Sequence, residues 1–259
     1  MGKKFGVIGG SGFYDLPGVK DKEKKEIITP FGSVEVSIGE IGDREVIFVP
    51  RHGKTHTIPP HLIPYRANIW AMKEVGVERI LATSASGSLN KDMKPGDFVI
   101  IDQFLDFTHD RDFTFFDSVG KVVHTDMTDP YCSEMREVIK NVIEKEGVRF
   151  HFKGTYVAMN GPRYESRAEI KMLQILGGDI VGMTGVPEVT LARELGLCYA
   201  SIGIVTNFAA GITDEMITHE EVKRLMDEKS EILKKIIIEV VKLIPEERHC
   251  NCRFAPGEV

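Results

Sequence analysis

The chain has 259 residues, 42% of them hydrophobic, and a formal net charge of −6. That length and apolar content suit one large α/β domain with a sizeable core, and they exclude a disordered chain. The acidic balance excludes a nucleic-acid surface, which needs a clustered excess of Lys and Arg, so an anionic substrate must be held by a few local donors. No segment approaches the apolar length of a membrane span. Met1-Gly2-Lys3-Lys4-Phe5 runs straight into a strand-like stretch and lacks the apolar region of a signal peptide. Gly6 stands where a myristoylation signal carries Ser or Thr. A cytoplasmic protein with no nucleic-acid or membrane partner is expected.

Taken in order, Phe5-Gly6-Val7-Ile8 reads as a short buried strand that runs into Gly9-Gly10-Ser11-Gly12. Glycines there let backbone N–H groups approach an anion, and Ser11 adds a hydroxyl. A dinucleotide site would want G-x-G-x-x-G, but the register starting at Gly10 places Asp15 at the third glycine, and Pro17-Gly18 forbids a long helix. Val34, Val36 and Ile38 alternate with polar residues as in a half-buried strand, and Val46 to Val49 is a continuous apolar run of a central one. It ends in Pro50-Arg51-His52-Gly53, where an Arg beside a His offers forked and single donors to a phosphate. Tyr65 to Glu74 has helical spacing with Gly76 as its stop.

Ile80 to Thr83 and Phe98 to Ile101 are strands, the first leading into Thr83-Ser84-Ala85-Ser86-Gly87-Ser88, a second hydroxyl-rich stretch with room for an oxyanion. Met135, Val138, Ile139, Val142 and Ile143 define a helix closed by Gly147. Thr155 to Met159 is a strand followed by Asn160-Gly161-Pro162-Arg163-Tyr164-Glu165, then a helix over Arg167 to Leu176. Ile180 to Met183 is a strand leading to Thr184-Gly185, and Pro187 opens a helix that ends near Leu195. Tyr199 to Val205 is a strand followed by Thr206-Asn207-Phe208-Ala209. Apolar residues from Val222 to Val241 form a wide helical stripe, stopped by Pro245. Alternating strands and helices predict one α/β domain with a largely parallel or mixed sheet, over residues 1–245, and a peripheral tail over 246–259. In such sheets ligands sit beyond the strand ends, where several small, polar and non-acidic stretches gather.

The four cysteines are Cys132, Cys198, Cys250 and Cys252. One close pair, Cys-Asn-Cys, fits no zinc spacing. In an ordinary cytosol two buried thiols and an exposed tail pair are expected; if the source is a hyperthermophile, the alternative is structural disulfides, with Cys250 and Cys252 bridged to each other or to the core cysteines Cys132 and Cys198.

Together, Gly9-Gly10-Ser11-Gly12, Pro50-Arg51-His52-Gly53, Ser84-Ala85-Ser86-Gly87, Gly161-Pro162-Arg163-Tyr164-Glu165, Met183-Thr184 and Thr206-Asn207 resemble the trimeric purine nucleoside phosphorylases. Similarity runs from about Phe5 to Ile244, takes in Asn68-Ile69-Trp70-Ala71 and Pro187-Glu188-Val189, and is nearest their methylthioadenosine phosphorylase branch. The resemblance implies a single α/β domain around a mixed, partly barrel-like sheet, in a homotrimer or homohexamer with active sites near subunit interfaces. It implies phosphate binding by Ser11, Arg51, His52, Ser84, Ala85 and Thr184, and Met183 against the ribose. His124 matches a residue that reaches a neighbouring subunit's site. Inorganic phosphate is a co-substrate, and neither a metal nor an organic cofactor is implied.

Adenosine-type members carry a small hydroxyl residue where Glu165 stands and aspartates where Asn207 and Ala209 stand. Members that cleave inosine and guanosine carry the Glu and the Asn. A carboxylate at 165 accepts from the N1–H of a 6-oxopurine, whereas it would oppose the N1 lone pair of adenine. Asn207 can donate to O6, accept from a protonated N7, and so stabilise the leaving purine as the catalytic group. His219 stands where methylthio-specific members have an apolar residue, and an imidazole suits a 5′-hydroxyl. The expected reaction is phosphorolysis of guanosine or inosine in purine salvage; the alternative is a methylthioadenosine or methylthioinosine phosphorylase.

Overall fold

Alternate residues of the central strands enter opposite cores, which is why those segments read as unbroken apolar runs. The computed structural model describes residues 4–11, 13, 23–53, 55, 57–214 and 218–258, apart from the side chains of His219 and Glu258. Strand β1 (Lys4–Gly9) sends Ile8 into one apolar cluster and Val7 into another. The strands that follow are β2 (Glu23–Thr29), β3 (Gly32–Ile41) and β4 (Arg44–Pro50), and β4 divides Ile47 and Val49 from Val46 and Phe48 in the same way. Helix α1 (Tyr65–Glu74) covers the first cluster with Ala67, Ile69, Ala71 and Met72.

Strand β5 (Val77–Ser88) is the spine. After it come β6 (Phe98–Ile100), β7 (Gln103–Phe107) and β8 (Val123–Thr125). Helix α2 (Ser133–Glu146) packs Met135, Ile139, Val142 and Ile143 into the second cluster and ends on Gly147, whose φ of 66° satisfies the left-handed cap. Next are β9 (Phe150–His151), β10 (Thr155–Met159), α3 (Arg167–Ile175), β11 (Ile180–Gly182), α4 (Gly185–Glu194) and β12 (Cys198–Phe208). Within α4, Val186 is still extended, so regular helix begins at Pro187, as the sequence suggests. Helix α5 (His219–Leu243) lies on the α2 side, and its N-cap Thr218 hydroxyl accepts from the Glu221 N–H. A short strand β13 (Pro256–Glu258) pairs with β8.

The main sheet has eleven strands in the order β2-β3-β4-β1-β5-β11-β10-β7, with β12, β6 and β9 branching from β5. Pairings are mixed: β1/β4, β1/β5 and β12/β5 are parallel, while β5/β11 and β12/β6 are antiparallel. One detail of register makes the site. Strand β1 leaves β5 after Ile8↔Ala82, and β11 joins the chain of pairings only at Val181↔Gly87. Between those points the sheet opens beside Thr83, Ser84, Ala85 and Ser86.

Several expectations need correction. The stretch Thr83–Ser88 is not a loop beyond a strand but the second half of β5, and Thr206-Asn207 lies inside β12. Serine and glycine are poor strand formers, yet here the pairing of β5 with β12, which runs from Arg79 to Ser88, holds them extended. Strand β2 carries little apolar signal in the sequence because its Glu23-Lys24-Lys25-Glu26 run is exposed, the charged pattern of a protected sheet edge. The tail folds back on the body: Arg79 donates to the carbonyls of Pro245 and Glu247, and Cys252 is buried rather than exposed. Among the described residues no helix is long and apolar enough to cross a membrane.

Candidate active site

Where the sheet opens, a cavity of about 510 Å³ is lined by Ser11, Arg51, His52, Ser84, Ala85 and Thr184. The same cavity is lined by Met183, Glu165, Asn207 and Ala209. That volume is in the range of small-molecule sites, roughly 300–1,000 Å³. Six separate stretches of sequence thus meet in one place. Gly12 lies outside the described residues. His219 opens α5, and its side chain is likewise outside; Val222, one turn later on the same helix, lines the cavity. His124 is exposed on β8 and does not line the cavity of its own chain.

The turn after β1 is drawn tight against β5. The Gly10 N–H donates to Thr83 Oγ1 at 3.1 Å. A Cβ at position 10 would lie 2.6 Å from the Thr83 carbonyl oxygen and 2.9 Å from Arg51 Nη1, so only glycine allows this approach.

Arg51 is buried and already paired, which the sequence did not reveal. Its Nε donates to Glu188 Oε2 at 2.8 Å and its Nη2 to Glu188 Oε1 at 2.7 Å. Nη1 donates to the Thr83 carbonyl at 2.8 Å. Tyr199 donates its hydroxyl to the same Glu188 Oε1 at 2.5 Å. Burial alone would pull the Arg51 pKa down, but attraction and hydrogen bonding to Glu188 outweigh it and hold it above the ordinary value. Burial pushes the Tyr199 hydroxyl well up. A guanidinium has five N–H groups, so about two remain for a ligand. The charge of Arg51 is thus balanced by a carboxylate with no exposure to solvent.

The dipoles at Thr184 are also partly spoken for. The N–H groups of Thr184 and Gly185 both donate to the buried Tyr156 hydroxyl, at 3.1 and 3.3 Å. The Thr184 side chain makes no capping bond to α4 and lines the cavity. Ser84 Oγ lies 3.2 Å from Ser86 Oγ, either of which can donate. His52 Nδ1 is 2.8 Å from the Ile58 carbonyl, which makes Nδ1 the protonated nitrogen, so Nε2 donates only in the imidazolium form.

Asn207, which lines the same cavity, is oriented by its neighbours. Its Nδ2 donates to the Phe208 carbonyl at 2.9 Å, and its Oδ1 accepts from Thr206 Oγ1 at 2.8 Å. A carbonyl can only accept, so these two bonds settle the amide's orientation. One N–H and one lone pair of the amide remain. Glu165 is buried, and burial raises its pKa above the usual carboxylate value, with Glu169 adding to the rise while its own backbone N–H and Arg163 oppose it. The loop carrying it is pinned by a helix cap: Ser166 and Glu169 form a reciprocal capping box at the start of α3. Arg163 clamps Glu169 with two bonds of 2.9 and 2.7 Å, so it braces this loop from the outside.

Three further residues position the site. Glu188 and Tyr199 hold Arg51. Arg111, from the 108–122 connection, donates to the carbonyls of Met183 (2.8 Å), Val186 (2.9 Å) and Asn160 (2.9 Å), tying the Met183 and 160–165 segments together. Glu188 had a signal in the sequence: a single carboxylate inside the apolar run Val186 to Ala192 must be paired.

The Phosphorylase superfamily profile matches residues 4–242. The chain is 51% identical over 258 residues to the 6-oxopurine nucleoside phosphorylase of Pyrococcus furiosus, covering 97% of each chain. It is 49% identical over 251 residues to the S-methyl-5′-thioadenosine phosphorylase of Pyrococcus abyssi, covering 96% of each. Among solved structures it is similar to methylthioadenosine phosphorylase from Schistosoma mansoni in complex with adenine, with a TM-score of 0.90 and 39% identity over 95% of this chain and 93% of that one.

Proposed function

We propose that this chain, which belongs to the Phosphorylase superfamily, is a pentosyltransferase that cleaves 6-oxopurine ribonucleosides with inorganic phosphate. The products are free guanine or hypoxanthine and ribose 1-phosphate. The observation that carries the reading is that Glu165 and Asn207 line the same cavity as Arg51, Ser84 and Thr184. A carboxylate beside the base selects N1–H, and the amide serves O6 and N7.

In the reaction the C1′–N9 bond breaks and its electron pair leaves on the purine, which takes up the proton that the phosphate gives up as its ester forms. A phosphate oxygen forms the new bond to C1′ as the sugar passes through an oxocarbenium-like state. Asn207 stabilises the charge arriving on the purine ring, by electrostatic preorganisation rather than covalent catalysis. Ser11, Arg51, His52, Ser84, Ala85 and Thr184 hold the phosphate, Met183 packs against the ribose, and the small Ala209 leaves room beside the base. His219 binds the 5′-hydroxyl. His124 enters the site of a neighbouring subunit in a homotrimer or homohexamer. Phosphate is itself the nucleophile and no electrons change hands with a cofactor, so the chemistry needs neither metal nor organic cofactor. The enzyme works in the cytoplasm, in purine salvage.

The test is a substrate panel of guanosine, inosine, adenosine and methylthioadenosine, each with and without phosphate. Phosphate-dependent release of guanine and hypoxanthine, at least tenfold faster than adenine release, is expected. Faster cleavage of methylthioadenosine would overturn the 6-oxopurine assignment, and release without phosphate would overturn the phosphorolysis.

A further inference from the structure

Outside this site, the most unusual concentration of reactive groups is a knot of sulfur on the α2/α5 side of the sheet. The Sγ atoms of Cys132, Cys198, Cys250 and Cys252 all lie within 4.8 Å of one another, and Cys198 Sγ is 3.3 Å from Cys250 Sγ. Three of the four residues are buried and Cys250 is half-buried. No bridge joins them. They come from three places: Cys132 is the N-cap of α2, Cys198 begins β12, and Cys250 and Cys252 lie in the tail. Sequence spacing hides such a cluster because only two of its members are neighbours in the chain.

We propose that these four cysteines form a structural zinc(II) tetrathiolate site that staples the tail to the body of the protein. Zinc–sulfur bonds of about 2.3 Å in a tetrahedron put the sulfurs about 3.8 Å apart, within the spread seen here. Four soft sulfur ligands with no carboxylate or imidazole among them favour zinc, and a set complete with four protein ligands is the closed, non-catalytic kind. On binding, the four thiols release four protons to solvent and the ion with its ligands carries a net charge of −2.

The surroundings offset that charge. Arg79 is buried, and its Nη1 points at Cys198 Sγ from 3.9 Å while also pairing with Glu134 at 2.8 Å. Its Nη2 holds the tail through the carbonyls of Pro245 at 2.9 Å and Glu247 at 2.5 Å. Cys132, at the N-terminus of a fourteen-residue helix, faces the positive end of its dipole. The site also has something to hold. Beyond Cys252 the chain becomes β13, which pairs Gly257 with His124 on β8. Fixing Cys250 and Cys252 to Cys132 and Cys198 therefore fixes the strand that carries His124.

The experiment uses the full chain, expressed with zinc in the medium and purified anaerobically without chelator. Metal content by mass spectrometry should give about one zinc per chain, released only as an organomercurial titrates four thiols. Cobalt(II) in place of zinc should give the ligand-field and thiolate charge-transfer bands of a tetrahedral all-sulfur site. The variant Cys250→Ser/Cys252→Ser should lose more than nine-tenths of the metal and melt at a lower temperature. If that variant does not fold, the zinc-to-thiol ratio and the cobalt spectrum of the unaltered chain decide alone. Less than a tenth of an equivalent of metal, iron in place of zinc, peptide maps showing disulfides among these residues, or zinc that survives in the double-serine variant would each overturn the proposal.

Discussion

Replacing Glu188 with Gln keeps the shape of the buried pair and removes its charge. Arg51 and Glu188 have side-chain exposures of 1% and 0%, so solvent does not screen them. Removing one partner of such a pair leaves a buried guanidinium uncompensated, which costs about 3–5 kcal/mol. The amide also turns one of the two oxygens that accept from Nε and Nη2 into a donor facing a donor. For a chain of this size each kcal/mol moves the melting temperature by roughly 2–4 °C, so Glu188→Gln should lower it by about 6–20 °C. Calorimetry, with denaturant added if the native protein melts above the accessible range, measures this directly. Inorganic phosphate should restore more of the loss in the variant than it adds to the native protein, because the bound anion replaces the missing negative charge. Adding Arg51→Met should recover part of the stability lost, since the unpaired charge goes with it. A Glu188→Gln protein that melts within about 2 °C of the native one, or that gains nothing extra from phosphate, would refute this account of Arg51.

Three further substitutions test the same geometry. Glu165→Gln should cut turnover of guanosine and inosine more than tenfold, measured by base release, because the N1–H bond loses its charge assistance. In the native protein, nucleoside affinity should weaken as pH falls through the raised Glu165 pKa, since only the carboxylate accepts from N1–H, and Glu165→Gln should remove that pH dependence. Because burial raises the Glu165 pKa, its contribution to stability is fully present below the unfolded pKa and is lost as pH rises through the folded one, so the variant should be relatively more stable near neutral pH. Arg51→Lys keeps a charge near Glu188 but not the fork, and should raise the Michaelis constant for phosphate at least tenfold while leaving that for nucleoside within a factor of two or three. Gly147→Ala forces a side chain into the left-handed region at φ 66°, where nothing lies within 4 Å, and should cost about 1–2 kcal/mol of stability with unchanged turnover.

Much of this architecture is legible in the sequence because the strands are buried on both faces. Runs such as Val46 to Val49 and Phe98 to Ile101 need no partner to be recognised. Helix α1 has the bounds that its spacing and Gly76 suggest, and Gly147 closes α2 as expected. The site is legible for a different reason: Ser11, Arg51, Ser84, Thr184 and Asn207 each follow an apolar run with small or glycine neighbours, and one cavity gathers them. What stays hidden depends on contacts far apart in the chain. The extension of β5 through Ser84 to Ser88 exists because β12 pairs with it, not because those residues favour a strand. Glu188 lies 137 residues from the Arg51 it neutralises, and Tyr156 reaches Thr184 across 28. The convergence of Cys132 and Cys198 with the tail is of the same kind.

The neutral Arg51–Glu188 pair also bears on how the proposed chemistry is driven. A phosphate site made of an unpaired arginine would bind the dianion tightly and spend its charge in the ground state. Here the guanidinium is balanced before any ligand arrives, and Ser11, Ser84 and Thr184 add hydroxyls without net charge. A phosphate held this way keeps most of its negative charge to face the cationic sugar that forms as the base departs. Interactions that strengthen only in that state raise turnover, whereas those equally strong beforehand merely tighten binding. Glu188→Gln should therefore split the kinetic constants: the Michaelis constant for phosphate falls several-fold while turnover falls at least tenfold, since the freed arginine charge now competes with the sugar for the anion. Steady-state rates across a range of phosphate concentrations, at a temperature where the variant is folded, separate the two. Tighter phosphate with undiminished turnover would refute this account of how the chemistry is driven, and unchanged values of both would mean that the pair serves folding alone.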